Sequence, residues 1–208
     1  MNLTNLTIAE YLDVLKSAAP APGGGSASAL TGAQGVALFL MVCELTLGKE
    51  KYAAHHDACR EAKAAGETIL RALTEAIQTD TDAFELVSAA YKMPKGTDEE
   101  KQARREAIAA ATLKATEVPF SVTRLARDGL QAAAGLVGNS NPAAASDLGS
   151  AAANLLACAR GAWLNVKINL PGVKDPEKSA YYSEQGQKLL ADAEALAARL
   201  FEEIVEII

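Results

Sequence analysis

The chain has 208 residues, 20 Lys and Arg against 26 Asp and Glu, and a net charge of −6 at neutral pH. Half of it is hydrophobic yet only 5% is aromatic, with alanine supplying much of the apolar content. That balance excludes disorder, points to closely packed helices rather than sheets, and leaves no basic patch for nucleic acid.

The predicted elements are all helical. Thr7 to Glu10 reads as a capping box, with Ile8, Tyr11, Leu12 and Leu15 following at helical spacing. Pro20-Ala-Pro-Gly-Gly-Gly25-Ser26 stops that helix and opens a second from about Ser26 to Leu47, whose small residues Ala29, Gly32, Ala33 and Val36 let another helix approach closely. Gly48 ends it, and a long third helix is expected from about Tyr52 to Tyr91. After Met93-Pro94-Lys95-Gly96, a second capping box at Thr97 to Glu100 starts a fourth helix, which Pro119 should kink or split near Val118. Asn141 is a candidate cap, with Pro142 in the first turn of a fifth helix reaching about Ile168. Pro171-Gly172 closes that helix, and Asp175-Pro176 opens the last, toward Ile208. No repeat or linker divides the chain, so residues 1–208 are expected to form one all-α domain. The apolar faces are wide for one globule, and a second copy of the chain is expected to cover part of them.

Ala27 to Cys43 is 17 residues without a charge. A spanning helix needs about 20 strongly apolar residues, so this stretch, with its serine, threonine, glutamine and glycines, reads as a buried bundle helix and no membrane is expected. The N-terminus has no basic segment followed by an apolar one, and Cys43, Cys59 and Cys158 form no CxxC. A reducing cytoplasm is therefore expected, without a disulfide framework or a zinc site.

Asp80 is the most informative residue. Leu73, Ala76, Ile77, Ala83, Phe84, Val87 and Tyr91 form a stripe on the third helix, and Asp80 falls inside it, whereas Asp82 falls on the polar side with Gln78, Glu75 and Glu85. A carboxylate in an apolar stripe is costly unless it is paired, protonated or working, and desolvation raises its pKa toward the general acid–base range. Periodicity leaves both readings open: a catalytic group, or a buried carboxylate capping a helix or pairing with Lys or Arg from a neighbouring helix. Glu44 raises the same question more weakly, with pairing to Lys49 or Lys51 as the simpler reading.

The glycines Gly23, Gly24 and Gly25, with Ser26, could turn backbone N–H groups toward an anion at a helix start, or could be only a connector. They match neither a Walker A loop nor a dinucleotide fingerprint. Lys49, Lys51, Tyr52 and Lys95 sit at corners, where solvation is the ordinary explanation. Asn139 and Asp147 flank the start of the fifth helix, where an acidic residue is often only a dipole partner. Asn165 and Asn169 share a face, either as satisfied core amides or as donors to a polar heterocycle. His55 and His56 diverge by about 100° on a helix and cannot chelate together, so no metal site and no Ser/His/Asp set is expected.

Taken together, Pro20 to Ser26, Leu47-Gly48-Lys49 with Tyr52, Asp80 with Ala83-Phe84, and Met93-Pro94-Lys95 with Thr97, Glu99-Glu100-Lys101 and Arg105 resemble the cyclodeaminase/cyclohydrolase family of folate one-carbon enzymes. Gly138-Asn139, Ser146-Asp147-Leu148, Asn165-Val166 and Ile168-Asn169-Leu170 continue the resemblance, which runs from about Leu6 to Leu170. It implies an all-helical subunit forming two-fold homodimers, active sites near the subunit interface, and no metal or redox cofactor, since a tetrahydrofolate derivative is itself the small-molecule substrate. It places the family's catalytic aspartate on Asp80 and substrate-binding positions on Gly23, Gly24, Gly25, Ser26, Lys49, Tyr52, Asn139 and Asp147. The glycine turn and nearby lysines would suit the glutamate tail or the pterin edge. Two activities are implied: a methenyltetrahydrofolate cyclohydrolase (a hydrolase), favoured here because no transferase domain is seen, or a formimidoyltetrahydrofolate cyclodeaminase (a lyase). A non-catalytic helical scaffold or folate-binding protein is the reading from another class.

Overall fold

Six α-helices carry the fold of this computed structural model, which describes residues 2–208. They are α1 (Ile8–Leu15), α2 (Gly24–Leu47), α3 (His56–Lys92), α4 (Asp98–Ala134), α5 (Ala145–Asn169) and α6 (Pro176–Ile207), and no strand occurs among the described residues. Both predicted capping boxes close as expected, Thr7 with Glu10 and Thr97 with Glu100, each satisfying donors at both ends of the first turn.

Helices α2, α3, α4 and α5 form a ring in which each packs on two neighbours, and α6 lies along the α4–α5 edge. The cross-contacts fix the directions. Ser26 meets Ile77 at one end of the α2–α3 pair and Glu44 meets Lys63 at the other, so these helices run antiparallel. Gly24 lies against Asn165 and Gly35 against Ala151, which makes α2 antiparallel to α5 as well. Arg104 reaches the Tyr91 carbonyl across the α3–α4 corner, and Arg160 pairs with Glu194 between α5 and α6.

Close approach depends on the small residues read from the sequence. At Gly32 a methyl group would lie 3.2 Å from both Cys158 Cβ and Leu73 Cδ1, so α2 is pressed between α3 and α5. Val36, Phe39, Val42 and Cys43 are fully buried there. By length and composition alone α2 could cross a membrane, its best window having a mean hydropathy of 1.6; in this fold its apolar inner face is used by the ring.

Three expectations are corrected. Helix α2 begins at Gly24 rather than Ser26, so two of the glycines are its first turn and not a loop before it. The third helix is preceded by a 3₁₀ turn, Glu50–His55, because Tyr52 (φ −108°, ψ 19°) leaves helical geometry while its hydroxyl bonds Asn141 Oδ1 at 2.7 Å. And α4 does not split at Pro119. The proline removes the N–H that would bond the Ala115 carbonyl, and Asn169 Nδ2 on α5 donates to that carbonyl instead, at 2.8 Å.

The surplus apolar face is present. Met41 and Leu45 are exposed on the outer side of α2, and Leu164 and Ile168 are 66% and 78% exposed on the outer side of α5. The Asp80 stripe changes character along α3: Leu73, Ala76, Ile77 and Ala83 are buried, whereas Phe84 and Tyr91 emerge.

Candidate active site

A polar cluster at the N-terminal end of α2 sets the site. Ser26 Oγ donates to the Ile77 carbonyl at 2.8 Å and lies 3.2 Å from the Tyr11 hydroxyl, so a buried chain ties α1, α2 and α3 together. Since Ser26 already occupies the Ile77 carbonyl, Thr81, one turn further along α3, has no partner for its buried Oγ1 among the described residues.

Next to this cluster Asp80 reaches over the first turn of α2. A methyl group on Gly25 would fall 2.5 Å from the Asp80 carboxyl carbon and 2.6 Å from Oδ2, so no residue larger than glycine fits beneath the carboxylate as it stands. One residue earlier, a methyl group on Gly24 would meet Asn165 Nδ2 of α5 at 3.3 Å. The first turn of α2 is thus flanked by a carboxylate from α3 and an amide from α5.

Asp80 pairs with no Lys or Arg among the described residues; the ion pairs lie elsewhere. The pairing half of the structural reading is therefore not found; the capping half is, since the carboxylate sits on the first turn of α2 beside the Ser26 N–H while also facing a cleft. Burial pushes the Asp80 carboxyl up from the ordinary aspartate range, and the Ser26 backbone N–H pulls back part of that shift. The anion faced by the glycine turn is the protein's own. Glu44 takes the simpler reading, exposed and paired, but with Lys63 of α3 rather than Lys49 or Lys51, which lie past the helix end.

Asp80 opens into a cleft of about 360 Å³. Pro20, Ala21, Gly23 and Gly24 form one wall; Thr81, Phe84 and Val87 of α3, Ala115 of α4, and Asn165, Ile168 and Asn169 of α5 form the others. No Lys or Arg lines it, and Asp80 is its only acidic side chain. Among the described residues no three His, Cys, Asp or Glu side chains are grouped as a metal site would need. A hydrogen-bonded anion beside apolar walls, next to space for a planar molecule, can exchange protons and steady a developing positive charge.

The chain belongs to the formiminotransferase-cyclodeaminase family. A profile described as Formiminotransferase-cyclodeaminase matches residues 7–188. The methenyltetrahydrofolate cyclohydrolase of Methylorubrum extorquens is 40% identical over 96% of both chains. The formimidoyltransferase-cyclodeaminase of Sus scrofa is 31% identical over 98% of this chain, which spans 38% of that larger protein. The crystal structure of formiminotetrahydrofolate cyclodeaminase from Thermotoga maritima superposes with a TM-score of 0.79 at 26% identity, covering 98% of this chain and 96% of the other.

Within this family member the positions singled out from sequence fall into two groups. Asp80, Gly23 and Gly24 line the cleft, Gly25 lies beneath the Asp80 carboxylate, and Ser26 is buried behind it. Lys49, Tyr52, Asn139 and Asp147 lie apart from them, at and beyond the other end of α2, whose 24 residues span roughly 36 Å at 1.5 Å per residue. There Tyr52 bonds Asn141, Lys51 stands 4.7 Å from the Tyr52 ring centre, and the Asn139 carbonyl accepts from Cys59 Sγ at 3.6 Å. Thr81 and Ala115 were not singled out at all. Pro119 announces that the Ala115 carbonyl lacks a partner, but only the fold shows that Asn169 supplies one.

Proposed function

We propose that this chain is a methenyltetrahydrofolate cyclohydrolase, converting 5,10-methenyltetrahydrofolate and water to 10-formyltetrahydrofolate, with Asp80 as its acid–base group. The observation that carries the reading is Asp80 itself, unpaired and desolvated at the head of a cleft rather than closed into the core. End-to-end similarity to the Methylorubrum cyclohydrolase supports the hydrolytic direction.

The chemistry follows from charge. The substrate's N5–C–N10 bridge is an amidinium-like cation. Water adds to the bridge carbon as one of its protons passes to the Asp80 carboxylate, giving a neutral carbinolamine. Asp80 then returns that proton to N5, the N5–C bond breaks, and the hydroxyl proton leaves to solvent as the formyl group forms on N10. One proton is released overall, and the tetrahydrofolate carries the one-carbon unit, so no further cofactor enters.

The cyclodeaminase reading keeps the same site and is favoured by the Thermotoga likeness. There N10 attacks the carbon of the protonated formimino group, Asp80 takes the N10 proton and gives it to the departing NH2, and ammonia leaves with the positive charge kept on the methenyl bridge. Loss of methenyl-folate absorbance well above buffer hydrolysis, abolished by Asp80→Asn, would establish the cyclohydrolase. If methenyl-folate is untouched while 5-formiminotetrahydrofolate yields ammonia, the assignment passes to the cyclodeaminase, and silence with both substrates overturns the enzymatic reading.

The reading includes a cytoplasmic homodimer. The exposed apolar outer faces of α2 and α5 are the surfaces for a second copy, and only a second copy could bring a Lys49–Tyr52 corner to an Asp80 cleft. Mixing Asp80→Asn subunits with Lys49→Ala subunits should then restore activity that neither variant has alone. A monomer by light scattering would remove the dimer, and an active Lys49→Ala protein would remove Lys49 from the site.

A further inference from the structure

Resting on the folate reading above, the geometry points to a role for two cleft residues: we propose that Asn165 and Asn169 select the pterin ring, their Oδ1 atoms accepting hydrogen bonds from the ring's amino and N–H donors while Asp80 faces the one-carbon bridge.

The orientation of both amides is dictated. Asn165 Nδ2 lies 2.9 Å from the Gly161 carbonyl and Asn169 Nδ2 lies 2.8 Å from the Ala115 carbonyl. A backbone carbonyl only accepts, so each contact must be made by the amide's nitrogen and not its oxygen. Each Oδ1 is left on the other side of its amide carbon, without a donor among the described residues, in a side chain that lines the cleft. Each amide thus presents an acceptor oxygen of pinned geometry, and one of its two N–H groups is already used.

The cleft's lining decides which end of the substrate they meet. Its polar side chains offer Asp80 and two amide oxygens, and no Lys or Arg. That set repels the carboxylates of a glutamate tail and suits a planar ring rich in N–H groups, with Phe84, Val87 and Ile168 to cover its faces. A ring lacking its donors would leave the two oxygens desolvated and unpaired, which is how a polar site rejects a near-isosteric analogue.

The test compares 5,10-methenyltetrahydrofolate with its counterpart bearing a methyl group in place of the 2-amino group. The wild-type enzyme should prefer the parent in kcat/KM by about tenfold to a hundredfold, the range expected when a buried acceptor loses its donor. Asn165→Ala should lower that preference by reducing kcat/KM for the parent while leaving the analogue nearly unchanged. Asn169→Leu is made together with Pro119→Ala, so that an N–H returns to the Ala115 carbonyl and the helix is kept; Pro119→Ala alone is the control. Combining all the substitutions should bring the ratio close to one. Equal losses on both compounds, or an unchanged ratio, overturn the assignment to the amides. A wild-type enzyme that turns over both compounds alike overturns it too and leaves the cyclohydrolase standing, whereas one that neither binds nor turns over either compound removes the folate reading and this inference together.

Discussion

Three adjacent glycines provide a graded test of the site. A methyl group on Gly23 meets nothing within 4 Å; on Gly24 it meets the Asn165 amide nitrogen at 3.3 Å; on Gly25 it meets the Asp80 carboxyl carbon at 2.5 Å and Oδ2 at 2.6 Å. Carbon contacts settle at about 3.5–4.0 Å, so Gly25→Ala must push the Asp80 carboxylate back by roughly 1 Å. A displacement of that size at a reacting group costs about a hundredfold in rate, about 2.7 kcal/mol of transition-state stabilisation. The fold should survive. Alanine gains about 0.5–1 kcal/mol over glycine within a helix, against overpacking of about 1–3 kcal/mol. The assay is the decay of methenyl-folate absorbance, with thermal unfolding alongside. Gly23→Ala should match the wild type, Gly24→Ala should show a small loss, and Gly25→Ala should lose about a hundredfold in kcat with most of its stability intact. Wild-type kcat in Gly25→Ala, or an equal loss in Gly23→Ala, would refute the claim that the glycine turn seats the catalytic carboxylate.

Three further expectations concern stability and reactivity. Burial raises the folded-state pKa of Asp80, so its protonated form favours the fold; that contribution is fully present below the ordinary aspartate pKa and is lost as pH rises through the raised value. Asp80→Asn should therefore raise Tm at pH 7 while abolishing activity, and the gain should vanish below about pH 4; a lower Tm at pH 7 would contradict the desolvation argument. Asn169→Leu should cost about 1–3 kcal/mol by orphaning the Ala115 carbonyl, and Pro119→Ala should recover most of it; purely additive effects in denaturant titrations would show that the two residues do not share that carbonyl. Burial pushes the Cys43 and Cys158 thiols up to about 12, so iodoacetamide at pH 8 should label neither in the native protein and both after unfolding, and rapid native labelling would count against the packing of α2.

Much of this was legible because local rules and tertiary packing agree. Thr7–Glu10 and Thr97–Glu100 announce their helices through side chains that reach only three residues, and the small residues of α2 announce close neighbours. Asp80 stood out because a carboxylate interrupts an apolar period. What the sequence could not carry was contact between distant segments. Gly24 and Gly25 read as a loop because glycine is a poor helix former; they are the first helical turn because a carboxylate from α3 and an amide from α5 occupy the space of their side chains. Pro119 read as a kink or a split, and the split fails because its missing hydrogen bond is replaced by Asn169, which lies 50 positions away on another helix. Asn165 and Asn169 were visible as a pair, but only the carbonyls they touch show which end of each amide is free.

In the role proposed for Asp80, the same electrostatics would let one carboxylate act first as a base and then as an acid. The cleft's lining holds one titratable anion and no cation, so desolvation of Asp80 is opposed only by the Ser26 N–H. A bound methenyl bridge brings a positive charge beside it and favours the carboxylate, the form able to take a proton from water. Once water has added, the bridge is neutral, the counter-charge is gone, and the proton affinity of Asp80 climbs as N5 needs its proton. The substrate's own charge sets the pKa at each step. Because kcat/KM reports the free enzyme and kcat the complex, the acid limb of kcat should lie at lower pH than that of kcat/KM. Coincident limbs, or kcat falling first, would show that the cationic bridge does not sit against Asp80, and the order of proton transfers proposed here would have to be abandoned.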